Sequence, residues 1–378
     1  MDRETELRLI DELLEMRQTQ SVGKLNDGVK KSPLSRYTDV EQFDRELTRF
    51  YLQQPMLAAH SSQLSEPGSF LRRDWPKTPI LLTRDRDGQV HAMLNVCRHR
   101  GAELVSEPSG CKNRLTCPYH AWTYDLDGTL KAVTRAGVGF PELAKEEYSL
   151  THLACEERDG WIWVMPEVGR ELNLTEFLAG MGDELSAFCG ADMEVFAIDE
   201  RVWNSNWKLM VEGGLEAYHF SVAHSETLGP FFHDNLSSYE RFGQHFRSVL
   251  AKKALDTLPD RPRTDWDIRE VANVLYSITP SSGVLVEPDH VAMVEFIPQG
   301  IDRTLARVIT IVPGSDGPRS EKATRHWQAN HDLTVRTLSE DYVLAESIQR
   351  GLNSGATDHF LFGRFEGALP ELNDILEA

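Results

Sequence analysis

The sequence predicts an α+β protein: an all-β domain followed by a second domain in which helices lie on an antiparallel sheet. Three observations carry this. Between Pro55 and Pro166, short apolar or alternating runs such as "PILLT", "HAMLNV" and "WIWVM" are separated by Asp-Gly turns, the pattern of a compact β domain. Further on, "VANVLYSIT", "GVLVEP", "VAMVEFIP" and "LARVITIVP" read as strands. A helical period then runs from Glu321 to Leu352 and stops at Asn353-Ser354-Gly355, long enough to lie across such a sheet.

In chain order, residues 2–19 place Leu, Ile and Met at helical spacing among charges, which predicts an amphipathic helix. Residues 21–37 read as a loop. A second helix is expected from Asp39, its candidate N-cap, to Gln53. The first 54 residues are assigned to the second domain, the β domain spans 55–166, and 167–378 completes the second domain. Helical stretches are expected within it at 172–190 and 206–224.

The balance of 40 basic against 59 acidic residues gives a net charge of −19, which opposes binding to nucleic acid and to anionic membranes. No run of eighteen apolar residues occurs, and the charged start lacks the apolar segment of a secretory signal, so a cytoplasmic location is expected. Five cysteines without such a signal do not read as a disulfide framework.

Two of those cysteines sit beside histidines, in "NVCRHRGAEL" and "CPYHAW": Cys97-x-His99 and Cys117-x-x-His120. Zinc is the first rival, but zinc sites usually group cysteines with cysteines along the chain, whereas here each arm carries one of each. That split suits a two-iron, two-sulfur centre in which one iron takes both thiolates and the other both imidazoles, each arm being a loop at a hairpin tip. Cys111, Cys155 and Cys189 remain, read as ordinary buried thiols.

A second cluster, Glu216, His219 and His224, lies in "NWKLMVEGGLEAYHFSVAHSE". On a continuous helix residues five apart diverge by roughly 140°. Both imidazoles can therefore meet one metal only if the helix ends or bulges between them. The bland alternative is one core and one surface histidine.

Residues 55–166 resemble a Rieske ferredoxin domain. A Rieske domain followed by "NWK" and Glu-x-x-His-x-x-x-x-His resembles the large (alpha) subunit of the Rieske non-heme iron, aromatic ring-hydroxylating oxygenases. The resemblance implies a [2Fe-2S] cluster on Cys97, His99, Cys117 and His120, and a helix-grip-like catalytic domain holding a mononuclear Fe(II) on His219, His224 and a late carboxylate. In "SEDYVLAESIQRGLNSG" that carboxylate matches Asp341, with Glu340 and Glu346 as competitors. Glu216 takes the place of a carboxylate that bridges an iron histidine to a cluster histidine of a neighbouring subunit, with Glu212 as runner-up. Relatives often have Asp at 216 and Asn where Gly213 stands.

Family members form rings, typically trimers. This chain shows no flavin or Gly-rich dinucleotide fingerprint, so a separate NAD(P)H-dependent reductase or ferredoxin is expected to supply electrons. The implied reaction is O₂-dependent hydroxylation of a small organic substrate, leaning to an aromatic or aromatic acid. The alternatives are a quaternary-ammonium or N-methyl monooxygenase of the same family and, from another class, a Rieske electron-transfer protein without oxygenase activity. The substrate pocket is expected from residues 225–250 and 276–296. His245 and Arg247 are candidates to pair with a substrate carboxylate, though such residues more often make structural salt bridges. Phe220, Phe231, Phe232 and Tyr276 are available for an aromatic cage around a cation.

Overall fold

The computed structural model describes residues 1–377 apart from Val22, Lys24 and Asp316, and the chain divides into two units, residues 47–177 and residues 1–46 with 178 onward. The smaller unit is built on antiparallel sheets. Its main sheet has five strands in the order His152–Leu153, Val90–Leu94, Thr78–Arg84, Ser69–Trp75 and Ser109–Cys111. A second sheet joins Cys155–Arg158, Trp161–Val164 and Met56–His60, and a third joins Leu115–Thr116, Thr123–Tyr124 and Leu130–Ala132. The two predicted Asp-Gly turns end at Gly88 and Gly128, with φ of +82° and +83°, values that side chains resist and glycine does not. Of the three cysteines expected to be buried, Cys189 is, Cys155 is half-buried, and Cys111 is exposed. Cys111 ends an edge strand whose three residues all face solvent.

The larger unit holds a seven-stranded antiparallel sheet: β1 (Met193–Trp203), β2 (Phe232–Phe242), β3 (His245–Lys252), β4 (Ala272–Ile278), β5 (Ser282–Val286), β6 (Val291–Gly300) and β7 (Arg303–Pro313). The order is β1-β7-β6-β5-β4-β3-β2, a six-strand meander with β1 closing on β7. The four predicted strands are β4 to β7. The other three escape notice for opposite reasons: β1 and β2 are edge strands rich in polar residues, while β3 is buried on both faces and shows no alternation.

Helices form where expected at Arg3–Gln18 and Val40–Tyr51, the second opened by Asp39 Oδ1 accepting from Gln42 N at 2.8 Å. The expected loop 21–37, whose Val22 and Lys24 lie outside the described residues, instead contains a strand, Lys30–Pro33, paired with His359–Phe362, and a short helix, Ser35–Thr38. Residues 172–190 hold two short helices, Leu174–Leu178 and Met181–Ser186.

The long helix Glu321–Leu352 starts at Ser320, whose hydroxyl accepts from Ala323 N at 3.2 Å. Its buried residues, among them His331, Thr334, Tyr342 and Ala345, form one stripe. Tyr342 packs edge-on against Trp203 of β1 (5.4 Å) and Phe296 of β6 (5.8 Å), and His331 hydrogen-bonds Thr310 of β7 at 2.8 Å. Near its end, Glu346 and Gln349 accept from the backbone N–H groups of Asn204 and Asn206, each at 2.8 Å. These contacts set the helix's rotation, and with it the direction of Asp341. No helix among the described residues is long and apolar enough to cross a membrane.

The helix Trp207–Glu212 opens on the "NWK" triplet. Asn206 caps it through Lys208 N and donates to Tyr37 O and Ile301 O, while Lys208 Nζ meets both oxygens of Glu46 at 2.6 Å in a fully buried ion pair. Lys208→Met strands the Glu46 carboxylate without its partner and should cost roughly 3–5 kcal/mol, read from the urea unfolding midpoint; replacing both residues by apolar ones should cost much less.

Candidate metal centres

The two Cys/His pairs lie on loops closed in the same way. Cys97 N donates to Ala102 O (2.8 Å) and Gly101 N to Cys97 O (2.9 Å); Cys117 N donates to Trp122 O (2.8 Å) and Ala121 N to Cys117 O (3.0 Å). Four residues after each cysteine the backbone turns left-handed, at Gly101 and at Ala121. Buried Asn95 braces the first loop, accepting from Leu104 N and Val105 N and donating to Val105 O at 2.7 Å. The thiols of Cys97 and Cys117 adjoin within the core, and the imidazoles of His99 and His120 adjoin with ring centroids 4.7 Å apart. Trp122 stacks on His99 at 4.9 Å, and the Tyr124 hydroxyl lies 3.4 Å from Cys97 Sγ.

Three features of this donor set bear on what it holds. His120 Nδ1 is buried without a hydrogen-bond partner among the described residues, the condition of a nitrogen kept for a metal. A single tetrahedral zinc would draw its ligand atoms to roughly 3.5 Å of one another. Among the described residues, only His219, His224 and Asp341 bring three ligand atoms within 4.8 Å. Thiols paired with thiols and imidazoles with imidazoles, too widely spread for one ion, fit a [2Fe-2S] cluster.

The stretch bearing the second site is helical only in pieces. Trp207–Glu212 passes through a 3₁₀ turn, Gly213–Leu215, into extended Glu216; then comes a single helical turn, Phe220–Ala223, with His219 and His224 at its two ends. His219 caps the start of that turn and His224 its end, both outside the regular helix, and their Nε2 atoms lie 3.2 Å apart. From the long helix, Asp341 Oδ1 reaches to 2.9 Å of His224 Nε2 and 3.4 Å of His219 Nε2. Ligands on one face of an octahedral ion with bonds of about 2.1 Å lie roughly 3 Å apart, so the three groups fit a facial triad.

The outer nitrogens are held as well. His219 Nδ1 pairs with Glu216, which also accepts from the backbone N–H groups of Tyr218 and His219. His224 Nδ1 pairs with Glu340 Oε2 at 2.8 Å, and Thr227 donates to the same oxygen at 2.6 Å. Glu340 therefore stands behind His224 rather than in the triad, and Glu346 is occupied at Asn204. Glu212, the alternative to Glu216, accepts from the Tyr37 hydroxyl at 2.7 Å; burial pushes its carboxyl up to about 7 against the pull of Tyr37 and Lys208. At Gly213 a Cβ would meet nothing within 4 Å, so a side chain would fit there. Burial disfavours a charged His219, but Asp341 and Glu216 outweigh it and raise the imidazole to about 10. His224 is raised too, Asp341 and Glu340 overcoming its burial.

A cavity of about 70 Å³ borders Asp341, walled by Phe246 of β3, the β4–β5 corner from Ser277 to Gly283, Phe296 of β6, and Leu338 and Tyr342 of the long helix. The expected segments thus supply much of the wall, but not the expected side chains. Phe246 pairs across the sheet with Ser277, and both face the cavity; the next pair, Arg247 and Tyr276, faces the opposite side, where Glu184 binds both and Glu240 also binds Arg247. His245, fully buried, accepts from Thr279 N at 3.1 Å. Phe220 and Phe232 pack on each other at 5.8 Å and Phe231 is exposed, so none of the four expected aromatic residues lines this cavity. Phe246, Phe296 and Tyr342 do, a set that strand alternation alone does not single out.

Residues 54–142 match the family model "Rieske [2Fe-2S] domain", and residues 191–378 match "Ring hydroxylating alpha subunit (catalytic domain)". The chain is 28% identical to the carnitine monooxygenase oxygenase subunit of Acinetobacter baumannii, over 84% of each chain. It is 27% identical to the glycine betaine monooxygenase oxygenase subunit of Chromohalobacter salexigens, over 89% of this chain and 83% of that one. The crystal structure of the quaternary ammonium Rieske monooxygenase CntA in complex with L-carnitine shares the fold, with a TM-score of 0.76 at 24% identity over 92% of this chain and 95% of that one.

Two expectations follow from the geometry. Because His219 holds a proton up to about 10 in the metal-free protein, Fe(II) must displace it; affinity should rise with pH from 6 to 9, about tenfold per unit for each proton released, in anaerobic chelator competition. Tyr124→Phe removes the hydroxyl beside Cys97 Sγ and should lower the cluster potential by roughly 20–65 mV in a redox titration, the one-electron equivalent of a hydrogen bond.

Proposed function

This chain belongs to the family of Rieske non-heme iron oxygenase large subunits, and we propose that its substrate is an N-methylated amine. As the terminal oxygenase of its system it works with a separate reductase and O₂. The [2Fe-2S] cluster and mononuclear iron of the family supply one-electron relay and reductive activation of O₂. An electron carrier without oxygenase activity would have no use for a matched catalytic domain.

In this reading Cys97, His99, Cys117 and His120 hold the cluster, and His219, His224 and Asp341 hold the iron. Glu216 fixes the tautomer and orientation of His219, as Glu340 does for His224. The copies assemble as a trimer in which Glu216 also reaches a cluster histidine of a neighbouring copy. A groove of about 390 Å³ that contains Glu216 and His219, bordered by exposed Leu344, Ile348 and Leu361, supports such a contact.

The observation that carries the amine reading is the cavity at Asp341. Phe246, Phe296 and Tyr342 line it, aromatic residues of the kind that attract a cation, and no basic side chain is among its lining residues. Relatives matched over more than 80% of both chains, carnitine and glycine betaine monooxygenase oxygenase subunits, point the same way, and away from the aromatic acid towards which the sequence leans.

The test is a turnover assay with a surrogate reductase. Loaded protein should contain about three irons and two sulfides per chain and release formaldehyde or an aldehyde from methylated amines in step with O₂ uptake. Turnover of small aromatic acids alone would reject the amine assignment, and two irons per chain would reject the mononuclear site.

A further inference from the structure

We propose that Arg100, held at the tip of the cluster site, enters the acidic groove of a second copy of this chain and pairs there with Glu366, beside Glu216. This rests on the reading that copies meet with Glu216 at a cluster histidine.

The first observation is a set of arginines without acids. Arg98, Arg100 and Arg135 are exposed around the two ligand loops, and although the chain has a net charge of −19, none of the three makes an ion pair among the described residues. Arg98 is turned back to its own unit, donating to Thr151 Oγ1 at 2.9 Å. Arg100 instead donates to the Tyr119 hydroxyl at 3.2 Å, with its guanidinium carbon 5.3 Å from the centre of that ring. Tyr119 packs on His120, ring centroids 3.8 Å apart, and Arg100 directly follows His99. The guanidinium thus bridges the outer ends of both ligand loops, and stacking holds it in place before any acid arrives.

The second observation is a set of acids without a basic side chain to offset them. Glu212, Glu216, Asp341 and Glu366 line the groove of about 390 Å³, and no Lys or Arg does. Three of the four are engaged, Glu212 by Tyr37, Glu216 by His219, and Asp341 by both iron histidines. Glu366 accepts from Gly363 N through Oε2, and its other oxygen meets no donor among the described residues. The ring of the preceding Phe365 packs 4.3 Å from that of Tyr218, which fixes this turn beside His219. Burial and repulsion by Glu216 raise the Glu366 carboxyl above its usual range.

Apolar residues surround both charges: exposed Tyr119 lies under Arg100, and exposed Leu344, Ile348 and Leu361 border the groove. Joining such surfaces removes water from the pair, and complementary charge selects the partner surface and its register.

Sedimentation of the holoprotein over a range of concentrations tests this. Arg100→Glu and Glu366→Arg should each weaken assembly about tenfold or more with the visible absorption of the cluster intact, and Arg98→Glu by under about threefold. The double variant Arg100→Glu/Glu366→Arg should recover most of the loss. An equal mixture of the two single variants should assemble more tightly than either alone, because each supplies the charge the other lacks. Arg100→Gln and Glu366→Gln, which disturb packing least, should make assembly less sensitive to salt. Single variants that assemble as the unaltered protein does, an Arg98→Glu loss as large as that of Arg100→Glu, unchanged salt sensitivity, or a double variant no tighter than the weaker single one would overturn the pairing and leave the trimer standing. A mixture no tighter than its components would overturn the second-copy assignment. Unaltered protein that sediments as a monomer would reject the trimer itself, and the pairing with it.

Discussion

Three ligand atoms must approach to about 3 Å, and two come from residues that a continuous helix would turn apart. The chain solves this by limiting the helix to a single turn, Phe220–Ala223, with His219 and His224 as its two caps. The third atom arrives from a helix more than a hundred residues later. Its position depends on Tyr342, because an aromatic ring locked between two strands prevents the helix from rotating Asp341 away. The motif residues Asn206, Glu346 and Gln349 serve the same end: they tie the two helices together through backbone groups and touch no ligand atom themselves.

The sheet then sorts charge. Side chains alternate across it with period two, so neighbouring residues of one strand face different environments. Arg247 is fully buried beside Phe246, yet its guanidinium belongs to an ion-pair network, while the phenyl ring belongs to the cavity. A largely apolar cavity bordered by Asp341 and a dense layer of salt bridges thus coexist on one sheet. The same alternation separates Glu295 from Phe296.

The smaller unit reaches its donor set by repetition. Two loops of different sequence close with the same pair of backbone hydrogen bonds and the same left-handed residue, which brings like ligands together in pairs. Glycine meets that demand in one loop; in the other alanine accepts it, at a conformational cost that the surrounding core must offset.

Local pattern was enough to identify the α+β class, the strands β4 to β7, the long helix to its last residue, and both groups of ligand-type side chains, because periodicity and spacing are properties of neighbouring residues. It also set the condition under which histidines five residues apart could converge, a helix that ends or bulges between them; the helical turn ends at Ala223, one residue before His224. Where the helix ends, which of Glu340, Asp341 and Glu346 turns inward, and which aromatic rings wall the cavity were settled by tertiary packing. Those outcomes depend on the rotation of one helix and the register of seven strands, which are fixed by contacts between residues far apart in the chain. The same limit explains Arg247: its charge is legible, but the face it points to is set by strands with which it shares no local pattern.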